Sequence, residues 1–248
     1  MTALSPRCSF SGTTLKTIAC ITMLVDHIGA SCIEAGILTP GLDIGTLSRD
    51  TLSAYPLYRL DMVLRFTGRL AFPIFCFLLV EGFVHTHDVK KYVRRLFLFA
   101  LISEVPFDLA FFRTPFALKH QNVYWTLALG GLAMAGLKHF EKPDGSASWK
   151  GLLCAAGCTL AALLACTDYD GIGVLIICAL YLTRGDRKRQ CIVGAVLFAW
   201  ELTAPLAFVL VWFYNGQRGR CTPAMQKVFY WFYPVHLLVL GVVTNLIL

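Results

Sequence analysis

Apolar residues in this chain are gathered into blocks of roughly 17 to 25, the length of helix that crosses ~30 Å of hydrocarbon at ~1.5 Å rise per residue. Lipid offers no partner for backbone N–H and C=O groups, so blocks of this kind must fold as helices that satisfy those groups internally. With 57% hydrophobic and only 15% charged residues, the chain lies far from an ordinary soluble domain at about 45–50% and 25%, which excludes a soluble enzyme. The expected fold class is all-α: a polytopic transmembrane helical bundle of about seven to nine spans, with residues 1–248 as a single integral-membrane domain. The net charge of +7 is spread over the segments between blocks, which excludes a basic nucleic-acid-binding domain.

The blocks run Leu15–Ile33, Leu57–Val84, Tyr92–Phe112, Val123–Leu137, Leu152–Cys166, Ile172–Leu182, Cys191–Tyr214 and Val228–Leu248. Pro73 lies inside the second and is expected to kink it. Glu201 and Thr203-Ala204-Pro205 interrupt the seventh, which reads either as one kinked span or as a re-entrant hairpin. Most cysteines, among them Cys20, Cys76, Cys154, Cys158, Cys178 and Cys191, fall within apolar blocks, where thiols behave as small hydrophobes. Neither a Cys-x-x-Cys pair nor a compact Cys/His cluster occurs, so no zinc or redox site is expected. The polar start with Arg7 has no small-residue cleavage site, so no removed signal peptide is expected.

Short basic loops stay cytoplasmic. Lys90, Lys91, Arg94 and Arg95, then Lys138, Lys142 and Lys150, then Arg184, Arg187, Lys188 and Arg189 fall in three loops on one side. This places the N-terminus in the cytoplasm and the loop over residues 34–57 outside it. The loop with Arg218, Arg220 and Lys227 joins the others only if the interrupted block is a hairpin.

Ionisable groups in membrane helices are costly, and usually face a cavity or one another. Asp26 and His27 lie near the extracytoplasmic end of the first block, Arg69 opens the apolar part of the second, Glu104 and Asp108 share a face of the third, and Asn122 opens the fourth. All fall at similar depth, as an acid–base site or as interhelical ion pairs. His236, after Pro234 inside the last block, needs a polar partner. Lys90 with Arg94, and Lys91 with Arg95, stack at i, i+4 and suit a phosphate-bearing ligand, or simply anionic headgroups of membrane lipid. His85-Thr86-His87 with Glu81 is only superficially a metal cluster, and no metal is expected.

In order, Lys16-Thr17-Ile18-Ala19, Met23-Leu24-Val25-Asp26-His27-Ile28-Gly29, Gly68-Arg69-Leu70-Ala71-Phe72-Pro73, Glu81-Gly82-Phe83, Lys91-Tyr92-Val93-Arg94-Arg95, Ser103-Glu104-Val105-Pro106-Phe107-Asp108, Gln121-Asn122-Val123, Asp168-Tyr169-Asp170-Gly171 and Tyr233-Pro234-Val235-His236 resemble the TraX family of membrane proteins, known for pilin N-terminal acetylation. That family is similar to the acyltransferase-3 group, marked by a basic residue, ten residues and a catalytic His. Lys16 and His27 hold that spacing, with Lys in place of the usual Arg. On a helix they stand ~16 Å apart, within reach of an extended pantetheine arm.

The resemblance implies a multi-pass protein of the bacterial cytoplasmic membrane that uses acetyl-CoA as acyl donor. The phosphates of acyl-CoA would sit near Lys16, Lys90, Lys91, Arg94 and Arg95. His27 would act as general base, oriented by Asp26 or, with better geometry, Glu104. Arg69 or Asn122 would stabilise the oxyanion, with Asp108 and His236 on the acceptor side. The acceptor, a pilin, glycan or lipid, would arrive from outside. A proton-coupled transporter and a non-enzymatic pilus or envelope assembly factor are the alternatives.

Overall fold

The positions at which the chain enters its helices follow from side chains that accept the orphan N–H groups of a first turn. In the computed structural model, which describes residues 9–38 and 57–246, Ser11 caps α1 (Gly12–His27) by accepting from the Thr14 amide. The Arg7 stretch and residues 39–56 of the loop expected over 34–57 lie outside the described residues; residues 34–38 instead continue the first helix. That continuation, Ile28–Leu38, is wound as a π-helix. Next come α2 (Tyr58–Gly68) and α3 (Ala71–Val84), followed by α4 (Val89–Phe112), capped by Asp88. Asn122 caps α5 (Val123–His139), Ser148 caps α6 (Trp149–Leu164), and α7 (Asp170–Leu182) follows a tight turn. Asp186 caps α8 (Arg187–Leu197), and α9 (Ala207–Trp212) and α10 (Pro223–Leu246) complete the chain. Among the described residues there is no β-strand, only isolated bridges such as Phe10 with Tyr214.

Three helical stretches, Gly12–Ile37, Tyr58–Val84 and Pro223–Leu246, are long and apolar enough to cross a membrane. The second contains a break, which the structure puts at Arg69–Leu70 rather than at Pro73. Pro73 lies in the first turn of α3, where its missing N–H removes no intrahelical bond. Pro106 and Pro234 are inside α4 and α10, which pack against each other along their length.

The α3 helix is buried on nearly every side, with Ile74, Phe77, Val80 and Phe83 at its centre. Outward positions such as Leu101, Leu153, Leu164 and Val196 are exposed leucines and valines, as a lipid-facing surface requires.

The interrupted block from Cys191 to Tyr214 is a hairpin. Its limb α8 leads to a tip around Glu201, and a 3₁₀ turn (Ala204–Leu206) with α9 returns the chain to Tyr214, which pairs with Phe10 ahead of α1. Gly194 lets the two limbs close, since a Cβ there would overlap the Phe208 ring. The return brings Arg218 to the start of α1, where its carbonyl accepts from the Thr13 amide and hydroxyl, both at 2.8 Å. The fourth basic loop thereby joins the other three at one end of the bundle.

Candidate functional site

Along α1, Lys16, Cys20, Met23 and His27 follow one another at helical spacing and share a face. The first three line a cavity of about 720 Å³ at the basic end of the bundle, and Met23 and His27 line a smaller one of about 60 Å³ beyond it. Met23, Phe75, Val123 and Leu127 border both cavities and form the partition between them.

The large cavity is cationic and aromatic. Lys16 Nζ stands over the Phe229 ring at 4.9 Å and the Tyr230 ring at 5.3 Å, and the Arg95 guanidinium lies over Tyr230 at 4.7 Å. Such contacts hold extended cations in place without neutralising them. Arg218 also lines it, as do Glu81, His85 and Thr86, so three cationic side chains share one chamber with several rings. Of the predicted phosphate-binding residues, Lys16 and Arg95 line this cavity. Lys90, Lys91 and Arg94 do not: they are exposed on the outer side of α4, because the face of α4 that meets the cavity is Tyr92, Arg95, Leu96 and Phe99.

Around the small cavity the polar side chains are paired across helices. Asp26 accepts from Arg65 Nη1 at 2.5 Å, and Arg65 also meets Glu34 at 3.3 Å. α2 comes this close to α1 because residue 68 is glycine; a Cβ there would overlap the Asp26 side chain. Arg69 pairs with buried Glu201 at 3.1 Å, and Thr203 donates to the Phe66 carbonyl at 2.6 Å, so the hairpin tip is tied to the break between α2 and α3. Asp168 faces the same cavity from the turn before α7, where Tyr169 and Asp170 hold left-handed φ values of 64° and 44°. Burial pushes the Asp168 carboxyl up to about 6, the Asp26 carboxylate adding to the shift and Arg65 and Arg69 opposing it.

His27 is held by rings: its Nδ1 lies 2.7 Å from His236 Nε2, and Phe111 and Tyr233 meet it edge-on at 5.4 and 5.9 Å. The expected orientation of His27 by Glu104 is therefore corrected. Glu104 Oε2 instead accepts from Trp125 Nε1 at 2.7 Å and Asn122 Nδ2 at 2.5 Å, on the α4–α5 side. Asn122, expected at the oxyanion, caps α5 and donates to the Ala100 carbonyl. Asp108, expected on the acceptor side, accepts from the Ala117 amide and shapes the 113–121 loop. Neither they nor Glu104 borders the two cavities. His236, also expected on the acceptor side, contacts His27 itself. Arg65, Asp168, Glu201 and Arg218 were not assigned to the site from sequence. Their signals were an arginine in the polar first part of the second apolar block, the rare Asp-Tyr-Asp-Gly string, a glutamate in an apolar block, and one basic residue among several. Among the described residues no group of His, Cys, Asp or Glu is arranged to hold a metal ion, and the cysteines are free thiols.

Known proteins agree over nearly the whole chain. The family described as TraX protein matches residues 11–244. A protein of Dichelobacter nodosus described as "Probable fimbrial assembly protein FimC, serogroup H1" is 29% identical over 264 aligned residues, covering 96% of this chain and 97% of that one. No solved structure matches.

Proposed function

Since the chain belongs to the TraX family, we propose that it is a membrane-bound acyltransferase, moving an acetyl group from cytoplasmic acetyl-CoA to an amine or hydroxyl of an extracytoplasmic acceptor. The observation that carries this reading is the continuous α1 face from the cationic cavity to His27. Lys16 to His27 spans ~16 Å, so an anionic, ring-bearing head in the large cavity can present a reactive group at the Met23–Phe75 partition. Lys16, Arg95 and Arg218 would hold phosphates, and Tyr230 and Phe229 would pack on the nucleotide. With four basic loops at that end, the positive-inside rule supports its lying in the cytoplasm, in a bacterial cytoplasmic membrane.

In this reading His27 takes the proton of the acceptor as its nitrogen or oxygen attacks the thioester carbonyl carbon. The C–S bond breaks, the thiolate leaves towards the large cavity, and His27 returns the proton to that sulfur. Arg69 follows Gly68 of the small cavity's wall without lining the cavity itself, and in this reading its guanidinium donors beyond the bond to Glu201 would turn to the developing oxyanion. The D. nodosus protein's description concerns fimbrial assembly, which supports a subunit of a surface appendage as the acceptor, with an envelope glycan or a lipid as the other acceptors of the same chemistry.

The test is calorimetric binding of acetyl-CoA to detergent-purified protein. Each lost charge-assisted phosphate contact is worth about 1.5–3 kcal/mol, so Arg95→Ala/Arg218→Ala should weaken binding by at least ~10-fold. His27→Ala should bind normally and transfer nothing. Folded wild-type protein that binds neither acetyl-CoA nor CoA would overturn the proposal and leave a non-enzymatic assembly role.

A further inference from the structure

The two ring nitrogens of His27 are not equivalent, and the helix that packs against it decides which one carries the proton. His236 Nδ1 is 2.6 Å from the Phe232 carbonyl oxygen, one turn earlier on α10. A carbonyl only accepts, so Nδ1 of His236 must be the protonated nitrogen. A neutral imidazole has one N–H, so His236 Nε2 is left as an acceptor, and it lies 2.7 Å from His27 Nδ1. His27 Nδ1–H must then donate, and the lone pair of His27 falls on Nε2. Among the described residues Nε2 makes no hydrogen bond, and its ring lines the small cavity.

We propose that His236 is a positioning residue that fixes His27 in the Nδ1–H tautomer, leaving Nε2 as the nitrogen that exchanges the proton with the acceptor and the leaving thiolate. The proposal rests on the acyltransferase reading for its kinetic consequence but not for its geometry. His236 does for His27 what a buried carboxylate does in a serine-hydrolase triad, holding tautomer and ring orientation through Nδ1–H. It does so without adding a charge to the apolar interior. When Nε2 takes a proton, Nδ1–H keeps its bond to His236, so neither nitrogen loses a partner during the transfer. The two rings lie nearly parallel, with an interplanar angle of 13° and centroids 5.0 Å apart. The ionisable groups facing His27 or its cavity besides His236 are Asp26 from α1, Arg65 from α2 through Asp26, Asp168 and Tyr169 from the turn before α7, and Tyr233 from α10; α4 contributes the uncharged Phe111.

The pair is tested on the full chain in nanodiscs by ¹⁵N NMR of labelled histidine rings, with His27→Asn to assign the signals. Wild type should show His27 protonated at Nδ1 and bare at Nε2. His236→Leu should move the proton to Nε2, whereas His236→Gln, whose carbonyl can accept from Nδ1–H, should retain the wild-type tautomer. In turnover, His236→Leu should lower kcat by about 10²-fold or more with KM for acetyl-CoA unchanged, and His236→Gln should recover most of the rate. His27 protonated at Nε2 in wild type, or wild-type kcat in folded His236→Leu, would overturn the proposal. Absence of any transfer by wild type would instead fail the acyltransferase reading, while the ring spectra would still decide the pair.

Discussion

Arg69 and Glu201 join the hairpin tip to the break between α2 and α3, and removing one partner should cost far more than removing both. Glu201 is 6% exposed at its side chain, and its Oε1 meets Arg69 while Oε2 is buried with no hydrogen-bond partner among the described residues. Arg69→Leu leaves an uncompensated carboxylate in an apolar surrounding. Breaking a buried pair in this way costs about 3–5 kcal/mol. The Arg69 side chain is 34% exposed, so solvent screens part of the pair and the lower end, about 3 kcal/mol, applies. For a chain of this size each kcal/mol moves the unfolding midpoint by roughly 2–4 °C, so Arg69→Leu should melt roughly 6–12 °C below wild type. Arg69→Leu/Glu201→Leu removes both charges and should return to within about 4 °C of wild type, since apolar replacement of a whole pair is close to neutral. Thermal unfolding of detergent-purified protein at neutral pH, followed by size exclusion, reads both values. A single variant within about 2 °C of wild type, or a double variant as unstable as the single, would refute the reasoning. The restored double variant also separates two roles for Arg69: wild-type transfer would make the guanidinium purely structural, and loss of transfer would place it at the oxyanion.

Gly68→Ala should destabilise by about 1–3 kcal/mol, because its methyl group overlaps the Asp26 side chain and forces α2 away from α1, stretching the Asp26–Arg65 pair that joins them. A thermal midpoint equal to wild type would contradict the close approach. The Asp168 carboxyl, pushed up to about 6, holds its proton more tightly in the folded protein than in the unfolded chain, where an Asp titrates near ~3.9. This group's contribution to stability therefore falls as pH rises from ~4 to ~6 and stays level above that. Asp168→Asn removes that slope, so the variant's midpoint should gain on wild type across the window and hold a constant lead above it; parallel profiles would refute the assignment.

Helix existence was legible because lipid leaves the backbone few other options, and every apolar block corresponds to one helix or a pair of them. The departures come from geometry that periodicity does not carry. Pro73 drew attention as a kink, yet a proline in a first turn is tolerated; the break two residues before α3 follows from the Arg69–Glu201 and Thr203–Phe66 contacts, whose partners lie more than a hundred residues apart. The hairpin was one of two readings of a run broken by Glu201, and it closes because Gly194 admits Phe208.

The site was legible as an inventory and illegible as a set of pairs. Asp26 and His27 are adjacent on a helix and so point about 100° apart, which dictates that they serve different neighbours: Asp26 meets Arg65 on α2, and His27 meets His236 on α10. Glu104 looked like the partner of His27 because Asp26 points elsewhere and a carboxylate from a neighbouring helix can orient an imidazole. The α4–α5 contact instead turns it to Trp125 and Asn122. A carboxylate orienting His27 would bring a further negative charge to a cavity that Asp26 and Asp168 already line, so a neutral acceptor is the less costly orienter there. That argument could have been made from the sequence only if the helices meeting at His27 had been known, which is information carried by packing and not by the spacing of residues along any one of them.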